Sequence, residues 1–154
     1  MKIPLVAVVS GSKSDAGTVQ PCLDELKKLR IPYEHVVISA HRNPRGLANY
    51  CEHVESRGVK VVIAAAGMAA HLPGVIAAQV TIPVLGIPVA SGALGGLDAL
   101  LSIVQMPGGV PVGTLAIGPS GSRNAASLAA RILALTDESL RSRLRTQQVE
   151  AGKA

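Results

Sequence analysis

The chain has 154 residues, 48% of them hydrophobic, and a formal net charge of +5; that is enough apolar content for one sizeable core, and residues 1–154 read as a single domain because halving them would leave neither part enough surface to bury. No apolar stretch is long enough to span a bilayer, and residues 1–10 lack a signal-peptide pattern, so the expected location is the cytoplasm and no membrane partner is expected. The positive charge does not point to a polynucleotide: Arg131, Arg141, Arg143, Arg145 and Lys153 crowd towards the C-terminus as a solvated helix face would, and with two Tyr and no Phe or Trp there is almost nothing for bases to stack on.

Five apolar runs, at residues 5–9, 35–38, 61–66, 84–87 and 112–117, recur with room for a helix between them, which predicts an α/β fold around a five-stranded parallel sheet. The first helix carries Val19, Cys22, Leu23, Leu26 and Leu29 at helical spacing. Pro21 falls inside it, so with Ser14 as N-cap this helix should start late or kink. The second is cleaner, with Asn43 as N-cap, Pro44 in the first turn, a stripe of Leu47, Tyr50, Cys51 and Val54, and Gly58 as the stop. Further helices are expected at 73–79, 98–105 and 123–135. A last amphipathic helix, about 137–148, should place Leu140 and Leu144 inward and leave a frayed tail at 149–154. Cys22 and Cys51 lie in apolar stripes and are expected as buried, reduced thiols.

A parallel sheet delivers every strand-to-helix loop to one edge, where ligands sit. Here those loops read Gly11-Ser12-Lys13-Ser14-Asp15, Ser39-Ala40-His41-Arg42, Gly67-Met68-Ala69-Ala70-His71-Leu72-Pro73-Gly74, Ala90-Ser91-Gly92-Ala93-Leu94-Gly95-Gly96 and Gly118-Pro119-Ser120-Gly121-Ser122. Small and polar, they predict a polar pocket. The first sets a glycine and two hydroxyls at a helix N-terminus, which suits an anion, although Ser14 or Asp15 would equally serve as an ordinary cap. It has neither the P-loop nor the dinucleotide pattern, so a single phosphate fits better than a triphosphate or dinucleotide. Ser39-Ala40-His41-Arg42 puts a proton-transfer group beside a permanent cation, and His41 is the candidate acid or base. His71 suits packing or capping as well as catalysis, while His35 and His53 read as structural or exposed. No carboxylates or thiolates accompany the histidines at ligand spacing, so no metal is expected.

These peptides, in this order, together with Leu101-Ser102-Ile103-Val104-Gln105-Met106-Pro107 and Gly113-Thr114-Leu115-Ala116-Ile117-Gly118, resemble the class I N5-carboxyaminoimidazole ribonucleotide mutase family from Val6 to about Leu144. The resemblance implies a three-layer, flavodoxin-like (Rossmann-like) fold and a homo-octamer whose neighbouring chains complete each site. It implies a phosphorylated ribonucleotide and carbon dioxide as ligands, and no cofactor. By the same resemblance His41 shuttles the proton, Ser12 and Arg42 lie near the phosphate, Asp15 lies near the ribose hydroxyls, and Gly11, Ser14, Ser39, Ala40, Gly67, His71 and Leu72 complete the binding site.

The chain departs from the family pattern at Ala16, where an aromatic is usual, at Met68, where glycine is usual, and in a shorter tail past Leu144. Met68 bears on turnover if that position needs a positive φ. Two alternatives remain at this point: a related carboxylase using free carbon dioxide, from which the loop around His71 differs, and a non-catalytic mononucleotide-binding or flavodoxin-like module. A flavin would find only Tyr33 and Tyr50 for stacking.

Overall fold

A computed structural model describes residues 3–152. Strands β1 (Val6–Ser10), β2 (Tyr33–Val37), β3 (Val61–Gly67), β4 (Val84–Val89) and β5 (Gly113–Thr114) form one parallel sheet in the order β2-β1-β3-β4-β5. Helices α1 (Ala16–Lys28), α2 (Pro44–Val54), α3 (Leu72–Ala77), α4 (Leu97–Val104), α5 (Pro119–Leu133) and α6 (Glu138–Ala151) cover it. None of the helices described is long and apolar enough to cross a membrane.

The three layers follow from the two-residue period of the strands. Val6 and Val8 of β1 and Val61, Ile63 and Ala65 of β3 face one core, with Val19, Cys22 and Leu26 of α1, the alanines of α5 and Leu140 of α6. Ala7, Val9, Val62, Ala64 and Ala66 face the other, with Leu47, Cys51 and Val54 of α2, Ile76 of α3 and Ile103 of α4. A strand buried on both faces has no polar side to present, which is why these segments read as continuous apolar runs. Ala125, Ala126, Ala129 and Ala130 are fully buried; side chains this small let α5 lie close against α1 and the sheet. Both cysteines are free and buried, and burial pushes the Cys22 thiol up to about 12.

The edge strand β2 carries the Ser39–Arg42 segment and is tied down by charge. Glu34 accepts two hydrogen bonds from Arg57, both at 2.7 Å, and one from Tyr50 of α2 at 2.6 Å. Burial alone would raise the Glu34 carboxyl, but these partners hold it below its ordinary value. Asn43 caps α2 by accepting from the Gly46 N–H at 3.0 Å, Pro44 opens the helix, and Gly58 at φ +97 stands at its exit.

Four elements differ from the sequence reading. β5 is two residues long rather than spanning 112–117. The carbonyls of Gly86 and Pro88 accept from Leu115 and Gly118, so this side of β4 faces β5, and at Pro88 there is no N–H to continue the ladder. Pro21 stays inside α1, which begins late, at Ala16, after a 3-10 turn over Lys13–Asp15 whose cap is Ser12 rather than Ser14. α5 begins at Pro119, not 123, because proline suits a first helical turn. Asp137 caps α6 through Leu140, and the helix runs on through Val149 to Ala151, where a frayed tail was expected; residues 153–154 lie outside the described residues.

Two glycines of opposite consequence test this packing. A Cβ on Gly121 would meet the Ala116 carbonyl oxygen at 1.6 Å, whereas one on Gly17 would meet nothing within 4 Å. Gly121→Ala should therefore destabilise by about 1–3 kcal/mol or more, since backbone must move, and Gly17→Ala should stabilise by roughly 0.5–1 kcal/mol. Denaturant unfolding of both variants checks the pair.

Candidate functional site

β1 and β3 are neighbours, yet the chain leaves them for opposite faces: α1 packs in the core of one face, α3 in that of the other. A crevice opens where the two connections part, at the carboxyl ends of the strands. The structure holds a cleft of about 690 Å³ there, bordered by residues from all five loops. Of the candidates, Gly11, Ser12, Ser14, Asp15, Ser39, Ala40, His41, Arg42, Gly67 and Leu72 line it. His71 does not, but touches His41. A second hollow, of about 460 Å³, lies between α5 and α6 and is bordered by Arg131, Arg141 and Arg145; Arg131 and Arg145 are exposed, as a solvated face requires.

The first loop is a reciprocal cap. The Ser12 N–H donates to the Asp15 carboxylate at 2.9 Å, while the Ser12 hydroxyl accepts from the Ser14 N–H at 3.2 Å and the Ser14 hydroxyl at 2.9 Å. Having accepted twice, Ser12 still has its own O–H to offer. Asp15 is 7% exposed, and burial raises its carboxyl above the ordinary value, against the pull of the Ser12 and Gly11 N–H groups.

In the second loop the Arg42 N–H donates to Ser39 Oγ at 3.2 Å, a turn that sets His41 and Arg42 on the rim. The Arg42 guanidinium has no acidic partner among the described residues, leaving an uncompensated cation on the cleft that the capped turn also borders. His41 Nε2 and His71 Nδ1 are 2.9 Å apart, with rings nearly perpendicular at a centroid distance of 4.9 Å. Such a contact needs one N–H and one lone pair, so the pair is joined through a single proton. Both imidazoles are solvent-exposed, which leaves a proton path to a ligand or to water. His35 instead meets Ser10 Oγ and His53 the Asn49 carbonyl, as structural histidines would. Among the described residues no three His, Cys, Asp or Glu gather as a metal would need.

The third loop begins with Gly67, where a Cβ would lie 2.2 Å from Ser91 Oγ; its absence lets the loop after β4 close over the end of β3. Met68 follows with φ +53, the left-handed region, at a cost of roughly 1–2 kcal/mol for a non-glycine residue. Sequence reasoning missed Ser91, Thr18 and Pro119 as lining residues. Their loops or helix were identified, but no local signal marks one small residue as the inward one.

Residues 5–154 match the family described as AIR carboxylase. The N5-carboxyaminoimidazole ribonucleotide mutase of Bacillus subtilis is 55% identical over 141 residues, covering 92% of this chain and 87% of its own. The protein of the same name from Pseudomonas aeruginosa is 60% identical over 129 residues, 84% and 79% of the two chains. Among solved structures, the PurE protein of Treponema denticola superposes with a TM-score of 0.88 at 28% identity, over 97% of this chain and 92% of that one.

The buried Asp15 makes a stability prediction. Because its folded carboxyl titrates above its unfolded value, the associated stability is present at low pH and lost as pH rises through the folded value. Asp15→Asn removes that loss, so its melting temperature should exceed that of the unsubstituted protein at neutral pH, and the gain should shrink as pH falls through the carboxylate range. Equal melting temperatures at neutral pH would contradict the argument.

Proposed function

Since the chain belongs to the AIR carboxylase family, we propose that its cleft binds N5-carboxyaminoimidazole ribonucleotide and moves the carboxyl group from the exocyclic nitrogen to ring carbon C4, an isomerisation in purine biosynthesis. The observation that carries this reading is the meeting of the His41–His71 pair with the Ser12–Asp15 turn and the unpaired Arg42 at one edge, in a chain 55% identical to a mutase relative. Arg42 and the free O–H of Ser12 hold the phosphate, with Ser14 beside them, and the N-terminal turn also favours its charge. Asp15 accepts from the ribose hydroxyls. Gly11, Ser39, Ala40, Gly67 and Leu72 shape the walls, and His71 orients His41.

The chemistry needs one proton carrier. As the bond between N5 and the carboxyl carbon breaks, its electron pair stays on N5, which takes a proton, and carbon dioxide is freed. C4 of the aminoimidazole then donates its electron pair to that carbon dioxide and gives up its hydrogen as a proton. His41 supplies the first proton and receives the second, so the balance closes with no cofactor. Holding both fragments in one cleft replaces a bimolecular encounter by a local one.

A homo-octamer is part of this proposal. Leu97, Leu101 and Val104 form a stripe along α4, each about half exposed, directly after the loop that brings Ser91 to the cleft. A neighbouring chain seated on that stripe would stand at the mouth of the site. A cytoplasmic location fits the two free, buried thiols. Incubating the protein with the carbamate nucleotide, and separately with aminoimidazole ribonucleotide plus bicarbonate, tests the reaction; comparable efficiency from both would reassign it to the carboxylase.

Two substitutions separate chemistry from binding. His41→Asn should fold and bind nucleotide nearly normally but lose about 10³–10⁴-fold in turnover, while Arg42→Ala should weaken nucleotide affinity by about 10–100-fold through the lost charge-assisted contact. Calorimetric affinity and turnover on one preparation check both. For assembly, Leu101→Asp should shift the scattering mass below that of an octamer and lower activity with it.

A further inference from the structure

Gly67 ends β3, and its backbone is not in the left-handed region, so the position does not use the conformational freedom of glycine. A glycine in a strand also weakens it, having more backbone freedom to lose and no side chain to pack. What the missing side chain provides is room for one neighbour. An added Cβ would lie 2.2 Å from Ser91 Oγ, but 3.4 Å from the Cβ atoms of Ser91 and Val89. The Ser91 hydroxyl therefore sits over the end of β3, on a partly buried residue that borders the cleft. The hydroxyls of Ser12, Ser14 and Ser39 are engaged within their own turns, whereas that of Ser91 has no hydrogen-bond partner among the described residues. Folding makes space for this hydroxyl and leaves it unused.

Its surroundings decide what it can hold. The other side chains lining the cleft from β3, β4 and the segments after them, those of Ala66, Met68, Ala69, Leu72, Val89 and Ala90, have no N–H or O–H to donate. The permanent cation on the cleft is Arg42, which follows β2, on the far side of β1. In the order β2-β1-β3 the ends of β2 and β3 stand two strand spacings apart, roughly 10 Å. That is comparable with the reach of a mononucleotide from its phosphate to the far edge of its base. A carboxylated nucleotide carries two anionic groups. With Arg42 at the phosphate and His41 carrying the proton, Ser91 is the side-chain donor left on the β3 side.

We propose that the Ser91 hydroxyl donates to the carboxylate of the bound nucleotide and so distinguishes carboxylated from uncarboxylated nucleotides. This rests on the carboxyl-transfer reading above. A neutral donor suits a group that must detach and re-attach, because a second cation would hold the ground-state carboxylate more tightly and add to the barrier for its detachment. Gly67 acts through Ser91, as a positioning residue that seats the hydroxyl.

Calorimetry on the full-length protein with two ligands tests the contact: 4-carboxy-5-aminoimidazole ribonucleotide, and aminoimidazole ribonucleotide, which has the same phosphate and ribose but no carboxylate. Ser91→Ala should weaken the first by about 10-fold or more, as loss of a hydrogen bond to a charged group does, and the second by less than about 2-fold. Its melting temperature should match that of the parent, since the hydroxyl has no protein partner to lose. Gly67→Ala, which displaces the hydroxyl, should show the same selective loss. Added to Ser91→Ala it should cost no further affinity, because the new Cβ then meets the Cβ at position 91 at 3.4 Å. Equal losses for both nucleotides, no loss for either, a lowered melting temperature for Ser91→Ala, or additive losses for the pair would each overturn the assignment. If the unsubstituted protein binds neither nucleotide, the transfer reading falls and this contact with it, a result distinct from a loss without selectivity.

Discussion

β1 pairs in parallel with β2, from Val6 opposite Tyr33 to Ser10 opposite Val37, and with β3, from Val6 opposite Val61 to Ser10 opposite Ala65. That double pairing places every group at the cleft. Because β1 is the first strand made and lies between its two partners, the chain must leave β1 and β3 on opposite faces, and the gap between those departures is the crevice. A slip of one residue would exchange Val8 and Val9 between the two cores and turn the loop that follows. Burial of β1 on both faces thus sets the register that points Gly11 to Asp15 at the cleft.

The carboxyl edge is where local preferences are overridden. Asp15 is buried, Met68 holds a left-handed backbone, Arg42 has no acidic partner among the described residues, and Gly67 gives up a side chain so that Ser91 can close over it. Elsewhere period, caps and packing agree with one another, as at Asn43-Pro44 and in the alanines of α5. Concentrated conflict of this kind marks the part of a protein shaped by something besides stability. The Ser12 turn shows how one group does two jobs: its oxygen caps the turn while its hydrogen stays free for a ligand.

The same edge is open. His41 and His71 are exposed, and the α4 stripe beside the mouth is apolar and uncovered within one chain. In the proposed octamer a neighbouring subunit would narrow that opening from outside.

Much of this was legible in the residues alone. Alternating apolar runs and helical stripes gave the parallel sheet, Asn43, Pro44 and Gly58 the bounds of α2, and the polar loops the candidates that line the cleft, because periodicity, caps and turn chemistry are local properties of the chain; the three layers came from the resemblance. The family resemblance rested on the same loops. What tertiary structure decided were contacts between segments distant in sequence. His71 became the partner of His41 across 30 positions, Ser91 came to lie over Gly67, and β5 was cut short by a proline on the strand beside it. No window of sequence contains both members of such a pair. Only strand order and register bring them together, and those are set by the burial of both faces of the sheet at once.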